Sequence, residues 1–260
     1  MTTPATQAAQ AAQAATFGGR SVATSPGSAW RRERRFFSGM ALVIALTVFV
    51  GFAPSYYLKG VFGTPQLSPL FHMHGFLFSA WVVLLVVQTR LVAAGRTDLH
   101  RRIGVGGGVL AAAMVVAGLA AALAAAKRGT PPNGIANLPP PLVFLVIPFT
   151  DMVVFTVLVG AGLSYRRRTD IHKRLLLLGT ISMLAAPIAR FPIVSGIGPA
   201  AFFGAMLLFV AACAVYDWRT RGRVHRATLW GGLFVVLSVP LRLLVGNTAA
   251  WLSFAGWMTR

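Results

Sequence analysis

The 260-residue chain is 56% hydrophobic and 11% charged with a mean hydropathy of +0.71, values that exclude a surface meeting water on every side. Its 24 Lys and Arg against 5 Asp and Glu give a formal charge of +19, but the cations gather in short gaps between apolar runs, where they set orientation and meet anionic lipid head groups; nucleic acid is excluded as the partner. A single cysteine, Cys213 within an apolar run, excludes an internal disulfide and cysteine-based metal motifs.

In chain order, residues 1–30 are rich in Ala, Gln, Thr, Ser and Gly and lack an apolar period, which predicts a disordered N-terminal tail. Arg31-Arg32-Glu33-Arg34-Arg35 before an apolar run has the layout of a signal peptide. The run from Phe36 to Tyr57 is too long for one and no clean small-x-small site follows, so it is expected to stay as a first transmembrane helix. An apolar stretch of about 20 residues crosses the hydrocarbon core. That criterion predicts seven spans, near 37–57, 70–92, 103–126, 141–163, 175–194, 199–216 and 228–246, in a transmembrane domain over 31–250. The fold class is therefore all-α, a polytopic membrane helix bundle.

The gaps before span 1 and after spans 2, 4 and 6 hold Arg31 to Arg35, Arg96 to Arg102, Arg166 to Arg174 and Arg219 to Arg226, whereas the alternate gaps hold Lys59 and the Lys127-Arg128 pair. The positive-inside rule then predicts an inner N-terminus and an outer C-terminus in a bacterial-type inner membrane. Trp251, Phe254, Trp257 and Met258 have roughly helical spacing, so residues 251–260 are expected as a short interfacial helix or a disordered end.

Seven residues occur twice with little change, Arg96-Thr97-Asp98-Leu99-His100-Arg101-Arg102 and Arg168-Thr169-Asp170-Ile171-His172-Lys173-Arg174. Pro69 and Pro141 stand in the same register ahead of the two copies, so spans 2–3 and 4–5 are expected as parallel hairpins. Arg221-Gly222-Arg223-Val224-His225-Arg226 again places a His beside Arg between spans 6 and 7. The organisation expected is one leading helix plus three hairpins. A Thr-Asp pair before an apolar run predicts an N-cap for the next helix, and the cations hold that end inside. The histidines are not needed by this account; beside several cations an imidazole favours its neutral state, the one that ligates metal or haem iron.

His72 and His74 lie at the outer end of span 2, and residues two apart point to opposite sides of a helix. His74, the deeper one, is followed by Gly75. Asp151 in span 4, Arg190 in span 5 and Arg242 in span 7 are ionisable groups inside spans, where they are costly and face a polar cavity or one another. With His72 and His74 they define a candidate outward polar pocket, and Pro187 and Pro192 around Arg190 predict a broken helix. The plainer account is an Asp151–Arg ion pair that fixes packing, with Arg242 snorkelling from near its helix end. Span 3 opens on a glycine run, with Gly104, Gly108 and Ala112 on one face, which predicts a central packing helix.

A His near the outer end of span 2, a His-Arg-x-x-Gly turn at 100–104, and a span 5 opened by His and closed by Arg resemble a group of bacterial multi-helix membrane proteins. The same positions, within about 69–190, look loosely like membrane proteins that assist cytochrome oxidase assembly and like b-type dihaem cytochromes. The last resemblance implies haem b, or another transition-metal centre, on His100, His172 and His74; His74, however, lies at the opposite end of span 2 from the other two. Glu33 is the sole glutamate and no recognisable catalytic constellation is present, so whether the chain is an enzyme stays open. The function expected first is a haem- or metal-binding redox-associated or assembly-type protein acting through His100 and His172. Two alternatives remain: a small-solute transporter or binding protein with a pocket around Asp151 and Arg190, and a non-catalytic scaffold working with other membrane subunits.

Overall fold

Backbone amides in hydrocarbon must be hydrogen-bonded within their own segment, which leaves helices as the economical way for apolar runs to cross. The computed structural model describes residues 26–129 and 138–260, with no strand among them. The tail expected over 1–30 lies, as far as residue 25, outside the described residues. Met1–Glu33 and Arg34–Arg260 are two compact units. In the first, the described part is helical from Pro26 onward.

Seven helices are long and apolar enough to cross a membrane: α1 (Trp30–Tyr57), α2 (Pro69–Ala93), α3 (Thr97–Arg128), α4 (Pro141–Ser164), α5 (Thr169–Ile188), α6 (Pro199–Arg221) and α7 (Arg226–Val245). A last helix, α8 (Ala249–Met258), follows them. The expected seven spans are thus all present; the helices of spans 1, 3 and 5 begin six or seven residues before the expected bounds, and that of span 5 also ends six earlier. Proline opens α2, α4 and α6 at a position whose amide needs no partner. Glycines at positive φ end α3 and α6, Gly129 at 68° and Gly222 at 69°.

Two expectations about these helices are corrected. Thr97 and Thr169 are the first helical residues, and the N-cap positions are Arg96 and Arg168, which make no side-chain cap. Asp98 and Asp170 act instead from within the first turn, where a carboxylate is favourable to the helix dipole. On α3, Ala112 is exposed, and the buried stripe runs through Gly107, Ala111, Met114, Gly118 and Ala121. The stripe faces α2 and α4: a Cβ on Gly107 would meet Leu84, and one on Gly118 would meet the Met152 sulfur.

α2 packs along α3 and α4 along α5, and the hairpins join through α3–α4 contacts. Trp81 ties α2 to the later helices, donating from Nε1 to Thr180 Oγ1 at 3.1 Å and standing edge-on to Phe155. α7 packs on α4, α5 and α6. One apolar core, including Ile44, Leu178, Ile181, Met206 and Val235, fills the space among α1, α4, α5, α6 and α7; a smaller one, around Trp81, Met114 and Phe155, joins α2, α3 and α4. Outward-facing residues such as Val105, Leu208 and Leu244 stay exposed, as a lipid-facing surface requires.

α5 is broken as Pro187 and Pro192 predict. Its regular part ends at Ile181, a turn leads to Ala185–Ile188, and a separate short helix, Pro192–Ser195, follows. α1 meets this break through Gly51, where an added Cβ would fall 2.3 Å from the Pro187 carbonyl oxygen. α8 anchors on Trp251, which is buried and donates from Nε1 to Leu142 O at 2.8 Å.

The Gly51 contact is against backbone, so the neighbour cannot rotate away. Gly51→Ala is expected to lose about 1–3 kcal/mol of stability through overpacking, read as a lower midpoint of thermal unfolding in detergent. Gly160→Ala, which would meet nothing within 4 Å, is expected to leave the midpoint unchanged or slightly higher.

Candidate functional site

The turns α2–α3, α4–α5 and α6–α7 share one end of the bundle, which carries most of the arginines and three of the five histidines. Its foundation is an ion pair between Arg174, in the first turns of α5, and Asp217, near the end of α6, with 3% and 1% of their surfaces exposed. Arg174 Nε donates to both carboxylate oxygens at 3.1 Å, and Nη2 donates to Oδ1. Asp217 Oδ2 also accepts from the Thr228 hydroxyl and from the His225 backbone N–H at 3.3 Å. Arg174 Nη1 donates to Asp170 O at 2.8 Å. A buried charge pair is tolerable when its remaining donors and acceptors are satisfied, and here the carboxylate has partners on α5, on α7 and in the turn before α7.

His225 completes this frame. Its Nδ1 accepts from Ala227 N at 3.1 Å, capping α7, so in the neutral ring the proton is on Nε2, which faces Asp170 Oδ2 at 3.1 Å. The third histidine is therefore a helix cap and a tie between α7 and α5.

His100 and His172 differ from it. Their rings lie 6.4 Å apart between centroids with planes at 82°, so the two copies of the seven-residue motif bring their histidines together. His172 Nδ1 is 2.8 Å from the Gly162 carbonyl oxygen. A carbonyl only accepts, so Nδ1 carries a proton, and in the neutral ring the lone pair is then on Nε2. His100 Nδ1 is buried with no hydrogen-bond partner, as is Gln88 Oε1; the Nε2 of Gln88 faces Gly104, one turn beyond His100, across the α2–α3 interface.

Among the residues expected to form one outward pocket, the contacts run within two sets, Asp151 with Arg242 and His74 with Arg190. Asp151 and Arg242 pair deep within the bundle, 6% and 1% exposed. Arg242 also donates from Nε to Ser238 O at 3.1 Å and from Nη2 to Ser238 Oγ at 2.9 Å, and its guanidinium lies 5.1 Å above the Phe203 ring. The expectation that Arg242 snorkels is thus corrected, because a carboxylate on α4 lies within its reach. His72 is exposed, and its backbone oxygen accepts from Tyr56 at 3.3 Å. His74 packs against Phe78 with centroids 4.2 Å apart, and its Nδ1 is buried without a partner. Arg190, beyond the end of α5, is within electrostatic reach of His74, covers Phe52 at 4.4 Å and donates to Ala186 O at 2.6 Å. Among the described residues no hydrogen bond or ion pair links His72, His74 or Arg190 to Asp151 or Arg242, and no three His, Cys, Asp or Glu side chains gather as a metal site.

Sequence reasoning passed over Arg174 and Asp217. The available signal was scarcity: with 5 acids against 24 cations, an aspartate at the end of an apolar run implies a buried cation nearby. Compared with models of known families, with curated proteins and with solved structures, the chain matches none.

Removing one member of a buried pair strands the other. Asp217→Ala and Asp151→Leu are each expected to cost about 3–5 kcal/mol. The double change Asp151→Leu with Arg242→Met is expected to recover most of the second loss, since no unpaired charge then remains at that place in the interior. Chemical unfolding of the purified variants measures both.

Proposed function

We propose that this multi-pass membrane protein holds one haem between His100 and His172 and serves as a redox-associated or assembly-type protein of a bacterial-type inner membrane. The observation that carries the reading is the imidazole pair, 6.4 Å between centroids, donated by equivalent positions of the two motif copies. His100 and His172 would be the residues that hold the iron, one from each motif copy. A histidine whose Nδ1–H is held by a backbone carbonyl, as His172 is by Gly162, presents Nε2 in the tautomer that ligates metal. Haem asks the protein for only two axial ligands, whereas a bare structural ion asks for three or four, and the described residues offer a pair.

Bound there, haem would supply one-electron chemistry. The chain's own residues would supply the two imidazoles that hold it, with the small α3 residue Gly104 one turn beyond His100, and Arg174 and Asp217 fix the position of the start of α5. The arginine-rich turns support a cytoplasmic location for this end, with the N-terminus inside and the C-terminus outside. A single haem is the reading favoured, because His74 has Phe78 and Arg190 as neighbours and no second histidine facing it.

Protein made in haem-replete cells and purified in mild detergent is expected to show a Soret band and about one haem per chain. His100→Ala and His172→Ala are each expected to abolish low-spin haem while keeping helical circular dichroism. His225→Ala is expected to retain haem with a lower unfolding midpoint. A colourless preparation, or haem that persists in both the His100→Ala and His172→Ala proteins, contradicts the reading.

A further inference from the structure

An open cleft of about 910 Å³ lies at the basic end, between the α4–α5 turn and the α6–α7 turn. One part of its lining is cationic, from Arg221, Arg223 and Arg226, all exposed. Asp170, in the same cleft, is engaged by His225, and Asp217 is engaged by Arg174. Among the described residues none of the three arginines has a carboxylate within ion-pair distance. Another part of the lining is apolar, from Ile171 and Leu175 on α5 and Ala227 and Gly231 on α7. Two aromatic side chains stand at the edge, Tyr165 and Trp230, 47% and 67% exposed.

We propose that this cleft is a discrete site for one anionic phospholipid, with its phosphate held by Arg221, Arg223 and Arg226 and an acyl chain laid on the α5–α7 surface. Two features separate it from the general attraction of basic turns to the membrane. The cations stand around a concave space, so their charges converge on one phosphate, the geometry of head-group pockets between transmembrane helices. The same space continues onto apolar side chains, which a free phosphate would leave unused and an acyl chain covers. Trp230 and Tyr165 are the residue types that sit at head-group level. The site is independent of the haem reading: neither His100 nor His172 lines it.

The full-length protein, purified in detergent, is titrated with phosphatidylglycerol, phosphatidylcholine or inorganic phosphate and examined by native mass spectrometry. One phosphatidylglycerol is expected to remain bound per chain at low lipid excess, with phosphatidylcholine much weaker and inorganic phosphate unable to displace it. Arg223→Gln with Arg226→Gln is expected to weaken phosphatidylglycerol about 30-fold, roughly fivefold for each arginine removed. Arg101→Gln with Arg102→Gln, exposed cations outside the cleft, serve as the control for general charge and are expected to change little. Both pairs are exposed, and unchanged helical circular dichroism verifies folding. Equal losses in the two double variants, equal retention of phosphatidylcholine, or displacement by inorganic phosphate overturns the proposal.

Discussion

A guanidinium sealed inside an apolar bundle is stable only where a carboxylate is held against it and the remaining donors find acceptors. Arg174 meets that requirement through Asp217, and much of the basic end is arranged by it. Arg102 occupies the equivalent place in the first motif copy and is exposed; the difference is that α6 brings Asp217 across from α5. The pair fixes the first turns of α5 against the end of α6, while Thr228 and the His225 amide bring the start of α7 to the same carboxylate. His172 stands two residues before Arg174. Its position opposite His100 is therefore inherited from the ion pair.

The acids show how this charge is distributed. Each of the four aspartates faces a cation or a histidine: Asp98 faces Arg96 at 3.9 Å, Asp151 faces Arg242, Asp170 faces His225 and Asp217 faces Arg174. Asp151 and Asp217 are the buried ones; the first joins α4 to α7, and the second joins α6 to the start of α5. Pairs of this kind need not add net stability over apolar replacements. They do penalise other registers, because a one-residue slip would leave a charge unpaired in hydrocarbon. With the aspartates committed, Arg221, Arg223 and Arg226 have no carboxylate within ion-pair distance among the described residues, which is the charge imbalance the proposed lipid site rests on.

The spans were legible in the sequence because each is an uninterrupted apolar run bounded by Pro, Gly or Arg, and the break in α5 was legible from Pro187 and Pro192. The meeting of His100 and His172 followed from the matched register of the two motif copies. Other features depend on which helices become neighbours, which one-dimensional periodicity does not encode. Arg242 near its helix end reads as a snorkelling residue until Asp151 is placed beside it. Gly104, Gly108 and Ala112 share a face, yet the stripe buried against α2 and α4 starts at Gly107. Thr-Asp reads as a cap, but the backbone enters the helix one residue earlier. Asp217 sits just past the end of the expected sixth span, in what looks like a solvated turn, and only the fold turns it inward.

The five histidines separate by the partners of their ring nitrogens. His225 has both committed, to a helix amide and to Asp170. His172 has one committed and one free, and His100 has a buried nitrogen with no partner. This is the asymmetry from which a ligand pair is inferred, and the near-perpendicular rings give it a spectroscopic consequence. Electron paramagnetic resonance of the ferric, haem-loaded protein tests it most directly. Axial imidazoles from His100 and His172, with planes at 82°, predict a single low-spin signal of the strongly anisotropic kind that perpendicular imidazoles produce. A high-spin signal, a low-spin signal of parallel imidazoles, or failure to take up haem at all would contradict the account.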